Sequence, residues 1–461
     1  MPDPPCLRLA GQIGCPNGKA ALPRTQHTWG VTPTPSAADR LRLTSEEQGL
    51  LNGDGGPALQ LAMRVLVAMA DVTGAERLIP ISSAHIDSCL YHGAVGLDFA
   101  ERLAAGGGRV AVPTTLNVSA LDLLHPEIVR LPAAERERAR RQMDAYLALG
   151  CQATWTCAPY QLPGRPSFGQ HIAWAESNAI VFANSVLGAR TARYGDFVDI
   201  CAALTGRVPL AGLHRDEERR ARLVVHVEDV AGEAFAHDEL YALLGHLLGG
   251  LAGSDVPAIV GLPGTASEDQ LKALGAAAAS SGSVALCHVV GLTPEAPTLA
   301  ACLADDGARE VRLGPADLRR AWAELSTVHD GAPLAAVSLG TPHLSLAEFE
   351  RLTPLLADTP PATGLAVYVS TGRGVAAEIE ARGWGEVYRR PGIQLVVDTC
   401  TYITPILEVA PGSVVMTNAA KWAWYAPGNL GVSVAFGTLE DCLRSAAAGR
   451  VVRHLPEWLD G

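Results

Sequence analysis

The sequence predicts an α/β protein, and three observations carry that expectation. Short apolar segments alternate with stretches of helical periodicity along most of the 461 residues, the rhythm of strand, helix, strand. At least six of the apolar segments end in polar clusters: SSAHID, PTTLN, CAPY, GLTPE, GTPHLS with STGRG, and DTCTY. Such clusters sit at the carboxyl ends of strands, where one shared cleft can collect them. Finally, 48% of the residues are hydrophobic and 18% charged, enough apolar surface for a large core split among two or three domains.

Residues 1–42 are rich in Pro, Gly and Thr without periodicity and read as an extension. Leu43 to Glu47 reads as a capped helix start, and Pro57–Gly74 as a strong helix with Leu59, Leu61, Ala62, Val65, Leu66 and Met69 apolar. The apolar strand in ERLIPISS then ends among Ser82, Ser83, His85, Asp87 and Ser88. Val95–Ala105 is the next helix, Arg109–Val112 a strand leading to PTTLN, Ala133–Leu149 an Arg-rich helix with a solvated face, and residues 151–157 a strand. A second segment, 231–330, has strands at Ala258–Leu262 and Val284–Val290 around helix Glu268–Ala279, with Leu223–Val227 a strand just before it. The third, 331–461, has strands at Leu334–Leu339, Gly364–Val369 and Ile393–Val397. GLPGT at 261–265 resembles a phosphate loop but lacks the Lys, and an ordinary helix-entry turn explains it as well.

With 36 basic and 48 acidic side chains the net charge is -12, which argues against nucleic acid or an anionic membrane as the main partner. The first residues lack a basic stretch followed by an apolar run, and nowhere do about eighteen apolar residues run together. A soluble, cytoplasmic protein is the expectation. Ten cysteines at irregular separations, without a C-x-x-C pair, read as reduced thiols.

Chemistry concentrates in Cys157–Arg190, where Pro-Gly turns precede an apolar segment of helical spacing from Ile172. Glu176 falls inside that apolar stripe, with Asn184 two turns along the same face. A carboxylate there is either a core Glu satisfied by loop amides or a group with an unusual proton affinity. Of the ten cysteines, Cys89, Cys157 and Cys400 lie in clusters with Gly, Pro, His or Asp neighbours. Three thiolates could hold iron or an iron–sulfur cluster; equally, each could be a small buried residue near a turn.

LIPISSAHIDSCLYHG, VPTTLNVSALDL, TWTCAPY, FGQHIAWAESNAIVFANSVLGARTARYGD, ALTGRVPLAGLH, HVVGLTPEAP, DTCTYITPI and TNAAKWAWYAPG resemble the large, catalytic part of the aconitase X family, in order over about residues 44–445. The resemblance implies an aconitase-like fold, several three-layer α/β/α segments around one cleft, within residues 43–461 and with the first segment at 43–230. It also implies an iron-dependent hydro-lyase working with a swivelling small domain, here expected as a separate small subunit. The substrate would be a small hydroxylated acid of the cis-3-hydroxy-L-proline type, with a mevalonate 5-phosphate-like molecule as the alternative. By position the family's iron thiols fall on Cys157 and Cys400. Archaeal members carry a third Cys in G-C-P-H, where this chain reads Gly340-Thr341-Pro342-His343, and bacterial members resemble HIDSCLYHG, which offers Cys89.

The resemblance further implies that Ser88, Cys89, Leu90, Asn117 and Val118 line the substrate pocket and that Lys421 meets a substrate carboxylate. Asn184, Arg190 and His214 are further binding candidates, with a structural hydrogen-bonding role as the plain alternative. Family members usually read TNSxK where this chain has Thr417-Asn418-Ala419-Ala420-Lys421. Ala419 cannot act as a base, so Ser82, Ser83, His85 or Glu176 would supply it. Otherwise the chain is a non-catalytic, metal-binding partner on the same fold.

Overall fold

The computed structural model describes residues 41–460, so the expectation for residues 1–42 lies almost wholly outside the described residues. Three parallel sheets form in succession. In the first region β1 (Leu78–Pro80) pairs antiparallel with β5 (Arg207–Pro209), while β2 (Ala84–Ile86), β3 (Thr114–Leu116) and β4 (Ala173–Trp174) make a parallel sheet in the order β3-β2-β4. The second sheet has β6 (Leu223–Val227), β7 (Pro257–Val260), β8 (His288–Val289) and β9 (Arg309–Leu313) in the order β8-β7-β6-β9. The third has β10 (Leu334–Leu344), β11 (Ala366–Thr371), β12 (Ile393–Val396), β13 (Val414–Thr417) and β14 (Ser433–Phe436) in the order β12-β11-β10-β13-β14. In each sheet the strand order reverses beside its first strand, the place where side chains from two loops can face one crevice.

Alternation along the central strands builds the layers. Val337 and Leu339 of β10, with Val367 and Val369 of β11, pack under helices Leu346–Asp358 and Leu439–Ala448. Ala336 and Tyr368 face the other way, into a core shared with Trp422 and Ala426 of helix Ala420–Leu430 and with helices Asp238–Ala252 and Glu268–Ser281. Those last two helices touch at Gly245, where an added Cβ would sit 2.2 Å from the Leu274 carbonyl oxygen. Because one apolar cluster spans both regions, the second and third sheets are held as firmly as the parts of a single core.

Several sequence expectations change for identifiable reasons. Arg109–Val112 is not a strand, because the Val110 and Ala111 amides bond to the ends of neighbouring helices at Leu149 and Ala203, and pairing starts only after Pro113. Residues 151–157 make a single bridge, Gln152 to Thr115, and otherwise reach Leu116 through the Thr154 hydroxyl and the Thr156 amide. Within Val284–Val290 only β8 is paired; the Cys287 amide goes to the Ser185 hydroxyl. β6 joins the second sheet, so that region begins upstream of residue 231. GLPGT is a helix entry, followed by a Ser267 capping box. Among the described residues, no helix is long and apolar enough to cross a membrane.

Candidate active site

Loops after strands of the first and third sheets converge. Asp398, at φ 65°, carries the turn after β12; its carboxylate takes Arg373 Nε and Nη2 at 2.6 and 2.8 Å and the Leu123 amide at 3.1 Å, and its carbonyl takes the Ser119 amide. Asp122 returns the tie by accepting the Val397 amide at 2.7 Å. These bonds hold Asn117 and Val118 beside Cys400. Opposite them, β10 runs on through Gly340 to Leu344; at Gly340 (φ 92°) a Cβ would lie 2.3 Å from the Ser370 carbonyl oxygen, so only glycine lets the strand bring His343 in.

Cys157, His343 and Cys400 meet there, all buried, with their sulfur and ring-nitrogen atoms within 4.8 Å of one another. The His343 amide donates to Cys157 Sγ at 3.3 Å, and its ring lies 3.0 Å from the Thr156 hydroxyl and 3.2 Å from the Thr399 carbonyl. Burial raises the Cys157 thiol, but the Cys400 hydrogen bond, His343 and Lys421 outweigh it and bring it down to about 6. Cys400 moves far upward through its bond to Cys157 and through burial. The two sulfurs therefore share one proton. A thiolate, an ionisable second thiol and an imidazole, with an amide directed at sulfur, suit a metal ion or a cluster.

Cys89, expected as the third ligand, is not part of this group. Its thiol donates to the Ile86 carbonyl at 3.2 Å and the Asn117 carbonyl at 3.4 Å, and burial with the nearby Asp87 and Asp199 carboxylates raises it well above its ordinary value. A protonated thiol locked onto carbonyls is a poor ligand. His343 stands in the GTPHLS cluster, and a histidine at a strand's carboxyl end carries the same ligand signal as the cysteines.

A cavity of about 310 Å³ opens on this group, with Asp87, Asn117, Cys157, Glu176, Cys400 and Tyr402 in its wall. Leu90 and Val118 also line it, and Tyr402 stacks on Tyr425 at 5.6 Å to form its aromatic side. Glu176 is not inside a helix. It caps helix Ser177–Ser185, accepting the Ala179 amide at 2.8 Å, so the segment from Ile172 is β4 and a turn instead. The other Glu176 oxygen lies 2.5 Å from Lys421 Nζ. Burial opposes the Lys421 charge, but Glu176, Tyr402 and Cys157 hold its ammonium well above the usual range. Lys421 thus sits behind Glu176, engaged by a carboxylate of the chain itself. Asp87 is the group that sequence reading left unused: burial, together with Glu176 and Asp199, pushes its carboxyl up to about 8.

The remaining candidates lie outside this cavity's wall. Ser88 bridges Tyr146 and Asp199, each at 2.8 Å. Ser82 is exposed, with its hydroxyl on the His171 carbonyl, and Ser83 accepts the Ala173 amide through its carbonyl. His85 is buried against Thr115 at 2.8 Å, and burial lowers it to about 3. Asn184 fastens Thr191, Ala285 and Arg219. Arg190 binds Asp216 and the His214 carbonyl, and the His214 ring lies 3.0 Å from that of His171. Ser88, Asn184, Arg190 and His214 are thus engaged by partners within the fold, as is one ring nitrogen of His85. Ala419 lines a different cavity, of about 200 Å³, between helices Asp238–Ala252 and Glu268–Ser281 and the third sheet.

Fold and site together define the class: a three-sheet α/β protein with a buried Cys-His-Cys group, able to take a metal, at the floor of a small-molecule cleft. Residues 40–217, 221–323 and 334–448 match the Aconitase X first, second and third domains, and the chain belongs to the aconitase X family. It is 45% identical to the cis-3-hydroxy-L-proline dehydratase of Pseudomonas aeruginosa, over 91% of this chain and 72% of that protein. It is 38% identical to the phosphomevalonate dehydratase large subunit of Methanothermobacter thermautotrophicus, over 88% of this chain and 98% of that one. The crystal structure of holo aconitase X from Thermococcus kodakaraensis superposes with a TM-score of 0.79 at 33% identity, covering 88% of this chain and all 100% of that one.

Proposed function

We propose that this chain is a hydro-lyase that dehydrates cis-3-hydroxy-L-proline or a close cyclic 3-hydroxy amino acid. The observation that carries the choice of substrate is the charge of the cavity wall: Asp87, Glu176 and Asp196 line it, and no Lys or Arg does. A phosphate dianion would find no Lys or Arg to pair with there, whereas the ammonium of an amino acid would find carboxyl acceptors. The greater identity to proline-type dehydratases than to the phosphorylated-substrate ones supports the same choice.

Cys157, His343 and Cys400 would hold iron or an iron–sulfur cluster, which supplies Lewis acidity to a departing hydroxide. The rest is work for the chain's own residues. Among Ser82, Ser83, His85 and Glu176, Glu176 alone lines the cavity, and its contact with Lys421 orients the carboxylate to take a proton from the substrate carbon. Leu90, Val118 and the Tyr402–Tyr425 stack enclose an aliphatic ring and limit water. A non-catalytic role was suggested by Ala419, and that position lines the other cavity. The archaeal relatives are named large subunits, and a small swivelling partner closing this cleft fits the same reading, in a cytoplasm that keeps the thiols reduced. Anaerobic reconstitution with iron and such a partner, followed by a screen of cis-3-hydroxy-L-proline against mevalonate 5-phosphate, tests the proposal. Turnover of the phosphorylated compound alone would sink it.

A further inference from the structure

Asp87 ends the turn after β2, and its surroundings suit a cation that the described residues do not supply. Its amide is tied to Asp199 at 2.8 Å and its Oδ1 accepts the Asn117 side-chain amide. Among the described residues no Lys, Arg or His pairs with its carboxylate, and the charges that act on it are acids: Glu176 from the turn after β4, Asp199 from helix Val198–Thr205 and Asp196 from the exposed loop before it. Beside it Asn117, 3% exposed, keeps its Oδ1 buried with no partner. That oxygen is the acceptor left over when the amide nitrogen bonds to Asp87 Oδ1. A buried acceptor left unmatched is costly, and here it belongs to a residue in the cavity wall.

We infer that Asp87 and the Asn117 Oδ1 form the receptor for the secondary ammonium of a cyclic amino acid substrate. The inference rests on the dehydratase reading above and names the groups that select for an amine. A ring ammonium carries two N–H donors, and the site offers two acceptors, one of them ionisable. Glu176 is not the amine's partner, because its charge is already matched by the Lys421 ammonium. Asp196 is exposed, where water screens it. An amine-free hydroxy acid leaves both acceptors unmatched, so it is rejected by the same atoms that hold the ammonium.

Calorimetric titration of the metal-loaded protein with L-proline and with cyclopentanecarboxylate, which differ only by a ring NH₂⁺ in place of CH₂, tests this without turnover. The wild type is expected to favour L-proline by at least about tenfold, the worth of a charge-assisted hydrogen bond. Asp87→Asn should abolish that preference by weakening L-proline alone, and Asn117→Ser should reduce it in the same selective way. Equal binding of the two ligands by the wild type, or equal weakening of both in both variants, would overturn the assignment. Should the wild type dehydrate no cis-3-hydroxy-L-proline, the dehydratase reading fails by itself, while the amine preference still decides the role of Asp87.

Discussion

Lys421 Nζ and Glu176 Oε1 lie 2.5 Å apart, both nearly excluded from solvent, although 245 positions separate them in the chain. Helix Ala420–Leu430 of the third region supplies the ammonium, and the cap of helix Ser177–Ser185 in the first supplies the carboxylate. Breaking one partner strands the other's charge in the interior, which costs about 3–5 kcal/mol. Glu176→Gln should therefore both destabilise the fold and lower kcat by about 10²-fold or more if the carboxylate is the base. A Glu176→Gln, Lys421→Met double variant should regain much of the stability in denaturant unfolding and none of the turnover. Recovery of turnover in the double variant would remove Glu176 from the chemistry.

Metal content separates the two ligand sets. Cys157→Ser, Cys400→Ser and His343→Ala should each lose bound iron, measured by elemental analysis of anaerobically purified protein. Cys89→Ala should keep it, because that thiol is already occupied with backbone carbonyls.

Position 419 is the extended N-cap of helix Ala420–Leu430 and carries no side-chain cap. Ala419→Ser should stabilise the protein by about 0.5–2 kcal/mol through a new cap and leave turnover close to wild type. A large rise in turnover would return the missing hydroxyl to the reaction.

His85 and His214 are buried in the neutral form, each lowered by burial from 6.5 to about 3. The unfolded chain binds protons at these sites below pH 6.5 that the folded chain refuses, so stability present above 6.5 is lost as the pH falls toward 3. Urea unfolding at pH 7 and pH 5 should show the decline, and His214→Gln should flatten part of it.

Much of the fold is local physics and could be read from the chain. The helix Pro57–Thr73 and the capping box of Thr44 with Glu47 follow from periodicity and short-range hydrogen bonding. Strands β10, β11 and β12 of the third sheet are legible as apolar runs between helices, whereas β13 and β14 are not. The short strands β3 and β4 are not, since they are three and two residues long and exist only where a neighbouring backbone meets them. For the same reason residues 109–112 and 151–157 looked like strands and are not: their amides are claimed by helix ends and threonine hydroxyls.

The sequence by itself determined the α/β architecture, the motifs that resemble the aconitase X family, and the collection of polar residues at strand ends. Tertiary structure alone decided which of those residues meet. His343 joins Cys157 and Cys400 because β10 continues past Gly340, and Cys89 does not because three carbonyls already surround it. Asp87 meets Asn117 and three other acids only in the folded chain. Ligand sets and charge complementarity are sums over atoms distant in sequence, so they are fixed by how the loops pack and not by the spacing of residue types.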